Sequence, residues 1–136
     1  MEKFIIEPGR RTPGIMFSPD ENVFYIRGTS SPEDVRKLYY PAKDWINKFS
    51  EEILKGGFKI FSIENPLRFQ IDLDYFNSSS AKFLFDMLTE LKKLPPAGYP
   101  VVIEWYYEKD DNDMKDAGAD FSRLLGMEFT FIPKPS

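Results

Sequence analysis

The stretch of sequence that decides the fold covers residues 67–80 and reads LRFQIDLDYFNSSS. Up to Phe76, apolar and mostly polar residues alternate, and a period of two places the two sets on opposite faces of a β-strand. A strand with one apolar and one polar face is typical of a sheet that helices cover on one side only. The predicted apolar face consists of Leu67, Phe69, Ile71, Leu73 and Tyr75.

The end of this stretch predicts that a helix follows the strand directly. Asn77 and the serines after it are typical of helix caps, because their side-chain oxygens accept hydrogen bonds from unpaired backbone N–H groups. Apolar residues then recur at steps of three and four from Ala81 to Leu91, which indicates one face of a helix. Pro95 and Pro96 mark the end of this segment.

The segments on either side continue the alternation of strands and helices. Ser31 and Pro32 predict the start of a long helix, in which Pro41 either kinks one helix or divides two. The chain is predicted to be one α/β domain, residues 1–136, with a mixed sheet packed against helices on one side, in the order β-β-β-α-β-α-β-α-β. The strands are predicted near residues 3–7, 15–17, 23–28, 67–76, 101–107 and 127–132.

The composition restricts the chemistry and the partners that are available. The chain has no Cys and no His, which excludes disulfides, thiolate catalysis, imidazole-ligated zinc and the Ser-His-Asp arrangement. A net charge of −4 gives no basic footprint for nucleic acid. No stretch reaches the roughly 18 apolar residues of a transmembrane helix, and the N-terminus lacks the apolar region of a signal peptide. We therefore expect a cytoplasmic protein without a cofactor, a membrane anchor or a nucleic-acid partner.

The hydroxyl cluster at the strand–helix junction is the first candidate functional site. Asn77, Ser78, Ser79 and Ser80 either cap the helix or present a hydroxyl that a kinase modifies. A phosphate at this point would meet free N–H groups and the positive end of the helix dipole. The residues alone favour capping.

Two charged segments are the other candidates. Residues 108–120 hold six acids against two lysines, but their spacing does not match an EF-hand. Asp110, Asp111 and Asp113 would serve a carboxylate or metal-dependent enzyme, a docking surface or a solvated loop, and we expect a mobile or partner-facing surface. A short helix is predicted over residues 116–125. Arg10 and Arg11 either bind a phosphate or form a surface turn.

Several segments in chain order resemble the SiaC-like regulatory phosphoproteins. The junction 75–82, YFNSSSAK, and the strand 101–107, VVIEWYY, with the acidic run after it are the most specific of them. The others are Thr12-Pro13-Gly14-Ile15 ahead of Phe17, the segment GTSSPE at 28–33, Tyr39-Tyr40-Pro41, Trp45-Ile46, and Gly118-Ala119-Asp120.

This resemblance implies a SiaC-like domain over residues 1–136, with a STAS-like fold similar to that of the anti-sigma-factor antagonists. Such proteins are not enzymes, and phosphorylation of one hydroxyl controls their binding to a partner. A serine/threonine kinase of the anti-sigma-factor type and a PP2C-like phosphatase act on them, and the effector in the best-known system is a diguanylate cyclase that promotes biofilm formation. An anti-sigma-factor-antagonist type of transcription regulator is the alternative.

The resemblance also assigns roles to individual residues. The phosphorylated position would be Ser78, where the family usually has Thr, and Ser79 and Ser80 are the alternatives. We expect the partner to be contacted by Asn77, Ser79, Lys82, Asp110, Asp111 and Asp113.

Overall fold

A computed structural model describes residues 1–56 and 60–135 of the chain. The elements in these ranges follow the order β-β-β-α-β-α-β-α-β, which confirms the predicted order, and a 3-10 turn, Pro95–Ala97, precedes the fifth strand. The strands are β1 (Phe4–Ile6), β2 (Gly14–Ser18), β3 (Val23–Ser30), β4 (Leu67–Phe76), β5 (Val101–Glu108) and β6 (Phe129–Lys134), and the helices are α1 (Val35–Leu54), α2 (Ser78–Leu91) and α3 (Asn112–Leu125).

The described strands form one mixed sheet in the order β1-β2-β3-β4-β5-β6. The pairs β1–β2 and β2–β3 are antiparallel, and β3 through β6 are parallel. Each parallel connection contains one helix, and connections of the same hand between successive neighbours place their helices on one face of the sheet. Phe69 and Ile71 are fully buried on that face, whereas Arg68 is exposed on the other. The predicted one-sided architecture is therefore confirmed.

The core between the sheet and the first helix is rich in aromatic rings. Phe17, Phe24, Phe49 and Phe69 are buried, and Trp45 covers them from α1 with its ring centroid 5.0 Å from that of Phe49 and 5.3 Å from that of Phe17. Offset and tilted ring pairs at these distances add stabilisation beyond the burial of area. This aromatic layer fixes α1 against the sheet.

The open face of the sheet is held together by polar contacts between strands. Glu104 is 5% exposed, and its carboxylate accepts hydrogen bonds from Arg68 at 2.7 Å and from Gln70 at 3.0 Å. The hydrogen bond and charge of Glu104 raise the pKa of Arg68. A buried carboxylate such as that of Glu104 is tolerated only when it is paired in this way. Lys134 of β6 also contacts Asp72 of β4, at 2.6 Å.

Two helices begin at residues other than those predicted. Asp34, rather than Ser31, caps α1, because the backbone N–H of Ser31 donates to the carbonyl of Arg11 and keeps that segment extended. Pro41 lies inside one continuous helix. Asp111 caps α3, so this helix begins at Asn112 rather than near residue 116.

Candidate functional site

The candidate site lies at the edge of the sheet where the parallel strands end. Ser30 at the end of β3 pairs with Phe76 at the end of β4. The backbone N–H of Asn77 donates to the carbonyl of Ser30 at 3.0 Å, which continues the contact for one residue beyond the strand. Because α2 starts at Ser78, the predicted direct passage from strand to helix is confirmed.

An irregularity in strand pairing decides which side chains face outward at this edge. Gly28 pairs with Leu73 but Thr29 pairs with Tyr75, so Asp74 has no partner and forms a bulge. A bulge shifts the alternation of side chains by one residue. Tyr75 is consequently 53% exposed, and the prediction that it joins the apolar face is wrong.

Phe76 takes the core position that the alternation assigned to Tyr75. Its ring centroid lies 6.0 Å from those of Trp105 and Phe121. The end of β4 is therefore anchored by Phe76, and the residues after it are held in a defined place.

The cap of α2 is formed by Asn77. Its side-chain Oδ1 accepts a hydrogen bond from the backbone N–H of Ser80 at 2.9 Å, and its carbonyl accepts one from Ala81 at 3.0 Å. The capping interpretation thus applies to Asn77 itself. No hydrogen bond is made by the Ser78 side chain within the described ranges, so its hydroxyl is not needed to start the helix.

The three serines differ in accessibility. Ser78 and Ser79 are exposed, whereas Ser80 is fully buried. Ser30 Oγ donates a hydrogen bond to Ser80 Oγ at 2.8 Å, and Ser80 Oγ donates one to the Ser30 carbonyl at 3.2 Å. The Tyr39 hydroxyl lies 2.6 Å from Ser30 Oγ. Burial raises the pKa of Tyr39. In this conformation the residues Ser78 and Ser79 are open to solvent, whereas Ser80 is not.

The first turn of α2 has unused hydrogen-bonding and ionic capacity. Within the described ranges, the backbone N–H groups of Ser78 and Ser79 have no acceptor. Lys82 is exposed and makes no ion pair with any described residue. These groups favour an anion at this point of the surface.

The acidic residues at the start of α3 lie across a cleft from the end of β4, the strand that leads into α2. A cleft of about 370 Å³ separates the end of β4 from α3, and Asp74, Tyr75, Asp111 and Asp113 are among its lining residues. Asp111 caps α3, because its carboxylate accepts a hydrogen bond from the backbone N–H of Met114 at 3.0 Å. Asp110 is exposed in the turn before it.

These carboxylates do not converge on one point. Among residues 1–56 and 60–135, no group of three or more acidic side chains is arranged to hold a metal ion. Much of the predicted acidic loop is instead the first turns of α3, and Asp113 lies in the first of them. The segment is thus an acidic and largely helical surface that faces the end of β4.

Arg10 and Arg11 belong to the same edge of the sheet. The carbonyl of Arg11 accepts from the N–H of Ser31 at 2.8 Å, and its guanidinium lies 3.7 Å from the carboxylate of Glu33. Both arginines are exposed, as in the surface-turn interpretation.

No helix in the described ranges has both the length and the apolar composition needed to cross a bilayer.

Residues of this edge that the sequence analysis missed are Ser30, Tyr39 and Asp74. Tyr39 appeared only in a segment of the family resemblance, which carries no information about the contacts of its hydroxyl group. The bulge at Asp74 has no local signal, because Asp72 and Asp74 look equivalent in an alternating strand.

Fold and site together define the chain as a small α/β domain with accessible hydroxyls at the start of a helix. Residues 6–134 match the family described as SiaC family regulatory phosphoprotein. The chain belongs to this family, and the resemblance seen in its sequence is confirmed.

Individual proteins are similar to the chain in sequence or in structure. An uncharacterized protein of Pseudomonas aeruginosa strain UCBPP-PA14 is 28% identical over 123 residues, which cover 90% of each chain. The crystal structure of apo-SiaC from P. aeruginosa is 24% identical and aligns over 97% of this chain and 99% of that one, with a TM-score of 0.78. A structure of the P. aeruginosa diguanylate cyclase SiaD in complex with its activator SiaC gives 23% identity, coverage of 96% and 99%, and a TM-score of 0.81. The two structural matches establish the shared fold.

Proposed function

We propose that this chain is a cytoplasmic switch protein, not an enzyme, whose binding to an effector is controlled by phosphorylation of Ser78. The observation that carries the proposal is the exposure of the Ser78 hydroxyl at the first residue of α2, next to a buried Ser80. Membership in a family of regulatory phosphoproteins supports hydroxyl modification as the means of control.

The proposed cycle has two enzymes. A serine/threonine kinase of the anti-sigma-factor type transfers the γ-phosphoryl group of ATP to Oγ of Ser78. The Oγ–P bond forms, the bond between the γ-phosphorus and the ADP oxygen breaks, and the hydroxyl proton passes to a base on the kinase. A PP2C-like phosphatase hydrolyses the phosphoserine, which restores the hydroxyl and releases inorganic phosphate.

The charge and position of the phosphoryl group explain how it would change binding without unfolding the domain. It adds a charge of about −1.5 to −2 next to the acidic cleft. The unbonded N–H groups of Ser78 and Ser79 stabilise an anion at the helix start. The effector then meets a surface that is more negative and partly covered by the phosphoryl group. The proposed contact residues around it are Asn77, Ser79, Lys82, Asp110, Asp111 and Asp113.

The proposed effector is a diguanylate cyclase, with biofilm formation as the regulated output. SiaC is named as the activator of the diguanylate cyclase SiaD in the structure of their complex, and this chain shares the fold found in that structure over 96% of its length. The unphosphorylated form is the one proposed to bind the cyclase.

Mass-spectrometric mapping of the protein after treatment with its kinase tests the acceptor. Phosphate on Ser78 is expected, phosphate on Ser79 alone would move the switch by one residue, and none on either with an active kinase would refute the proposal. Since the Ser78 side chain makes no hydrogen bond in the described part of the chain, Ser78→Ala should remain folded.

Binding to a candidate cyclase before and after kinase treatment tests the switch, with Ser79→Ala as the matched control and each protein compared with its own untreated form. Ser78→Ala should bind equally well before and after treatment, whereas both Ser79→Ala and the parent should lose affinity on treatment. Binding to an anti-sigma factor with no binding to a cyclase would assign the chain to transcription control instead.

A further inference from the structure

Lys82 lies one helical turn after the proposed phosphorylation site and has no charged partner among the described residues. Its side chain is exposed, and no ion pair or hydrogen bond connects it to any residue in the described ranges. By contrast, Lys93 near the other end of the helix pairs with Glu90 at 2.9 Å. Lys82 therefore has its full charge available for a new partner.

The helical geometry brings Lys82 beside Ser78. Ser78 is the first residue of α2, and regular hydrogen bonding begins there, because the N–H of Ala81 already donates to the carbonyl of Asn77 at 3.0 Å. Residues four apart on a helix share a face, with their Cβ atoms about 5–6 Å apart. An anionic residue that precedes its cation by four positions has the more favourable orientation.

We propose that Lys82 binds the phosphoryl group of phosphorylated Ser78 within the same chain. This inference rests on the proposed function for the presence of the phosphate and adds the group that receives it. The ion pair neutralises the charge of Lys82 once Ser78 is phosphorylated. Phosphorylation then both adds an anion and removes a free cation from the surface offered to the effector, while α2 stays helical.

The other charges around this turn are mostly negative and act on the phosphate regardless of Lys82. A comparison between variants of Lys82 therefore isolates its contribution, since all these groups remain unchanged. They are Arg11 on the loop before β2, Glu33 and Asp34 before α1, Arg36 and Lys37 in the first turn of α1, Asp74 on β4, and Asp111 and Asp113 at the start of α3.

The test uses the full chain with phosphoserine incorporated at position 78 during translation, followed by a 31P NMR pH titration. Lys82→Gln should raise the second pKa of the phosphate by about 0.2–0.4 unit, the shift that corresponds to one surface ion pair between residues four apart. Lys82→Arg keeps the charge and should keep the parent value. The difference in phosphate pKa between the parent and the Lys82→Gln variant should shrink in high salt, because the pair is exposed to screening.

Lys92→Gln is the matched control, since Lys92 caps the far end of the same helix, about 20 Å away. It should leave the phosphate pKa at the parent value. Equal pKa values in the parent and Lys82→Gln, or an equal shift in Lys92→Gln, would overturn the inference. Because the phosphoserine is installed without a kinase, failure here is distinct from failure to find Ser78 phosphorylated by its kinase, which would refute the proposed function.

Discussion

Gly118 lies where α3 meets the indole ring of Trp105, and replacing it with alanine tests this contact. A Cβ atom at position 118 would lie 2.6 Å from Cδ1 and Nε1 of Trp105, far inside van der Waals contact. Trp105 is fully buried, and its Nε1–H donates to the carbonyl of Met114 at 2.9 Å. The indole ring thus has little room to move and a hydrogen bond to lose.

The expected effect is the sum of opposing contributions. Alanine is favoured over glycine in a helix interior by about 1 kcal/mol. Overfilling a packed core costs about 1–3 kcal/mol, and displacing the indole leaves a buried N–H group without its acceptor at a further cost of about 1–3 kcal/mol. We expect Gly118→Ala to lower the free energy of unfolding by about 1–5 kcal/mol, opposite in sign to the helix preference alone.

Urea unfolding followed by tryptophan fluorescence and far-UV circular dichroism measures this change. Ala119→Gly is the control, because Ala119 is exposed on the same helix, and it should lose only the helix preference of about 1 kcal/mol. A Gly118→Ala protein as stable as the parent, or more stable, would refute the close contact between α3 and Trp105.

Three further predictions concern the edge of the sheet and its open face. Tyr39→Phe removes the hydroxyl that contacts Ser30 Oγ at 2.6 Å, and urea unfolding should show a loss of about 1 kcal/mol; no loss would contradict a role for this contact. Asn77→Ala should cost about 1 kcal/mol in the same assay, since Asn77 caps α2, whereas Asn77→Asp should retain most of the stability. The pKa of Lys134 is raised in the folded protein: burial acts to lower it, but the hydrogen bond and attraction of Asp72, with Asp74 and Glu108, outweigh this effect. A group whose pKa is raised by folding contributes stability that is fully present below its unfolded pKa, near 10.4 for Lys, and is lost as the pH rises through the folded pKa. Lys134→Met should therefore show a smaller fall in stability than the parent between about pH 9 and pH 12. An equal fall in the parent and the variant would argue against this pairing.

The sequence by itself determined the order of the elements, because local patterns report which faces are buried. The period-two alternation from Leu67 to Leu73 predicts a strand with one covered face, and the structure buries those apolar residues against the helices. The run from Asn77 to Leu91 likewise predicts a capped helix that follows without a loop. The absence of His and Cys from the sequence limits the chemistry that is available to any site in the fold.

Only the tertiary structure decided which residues the candidate site presents. The strand partner of β4 places the bulge at Asp74, which turns Tyr75 outward and Phe76 inward. Ser78 and Ser80 are the same residue type in the same run, yet contacts with Ser30 and Tyr39 bury Ser80 and leave Ser78 exposed. These differences arise from contacts between residues distant in sequence, which the periodicity of a single segment does not contain.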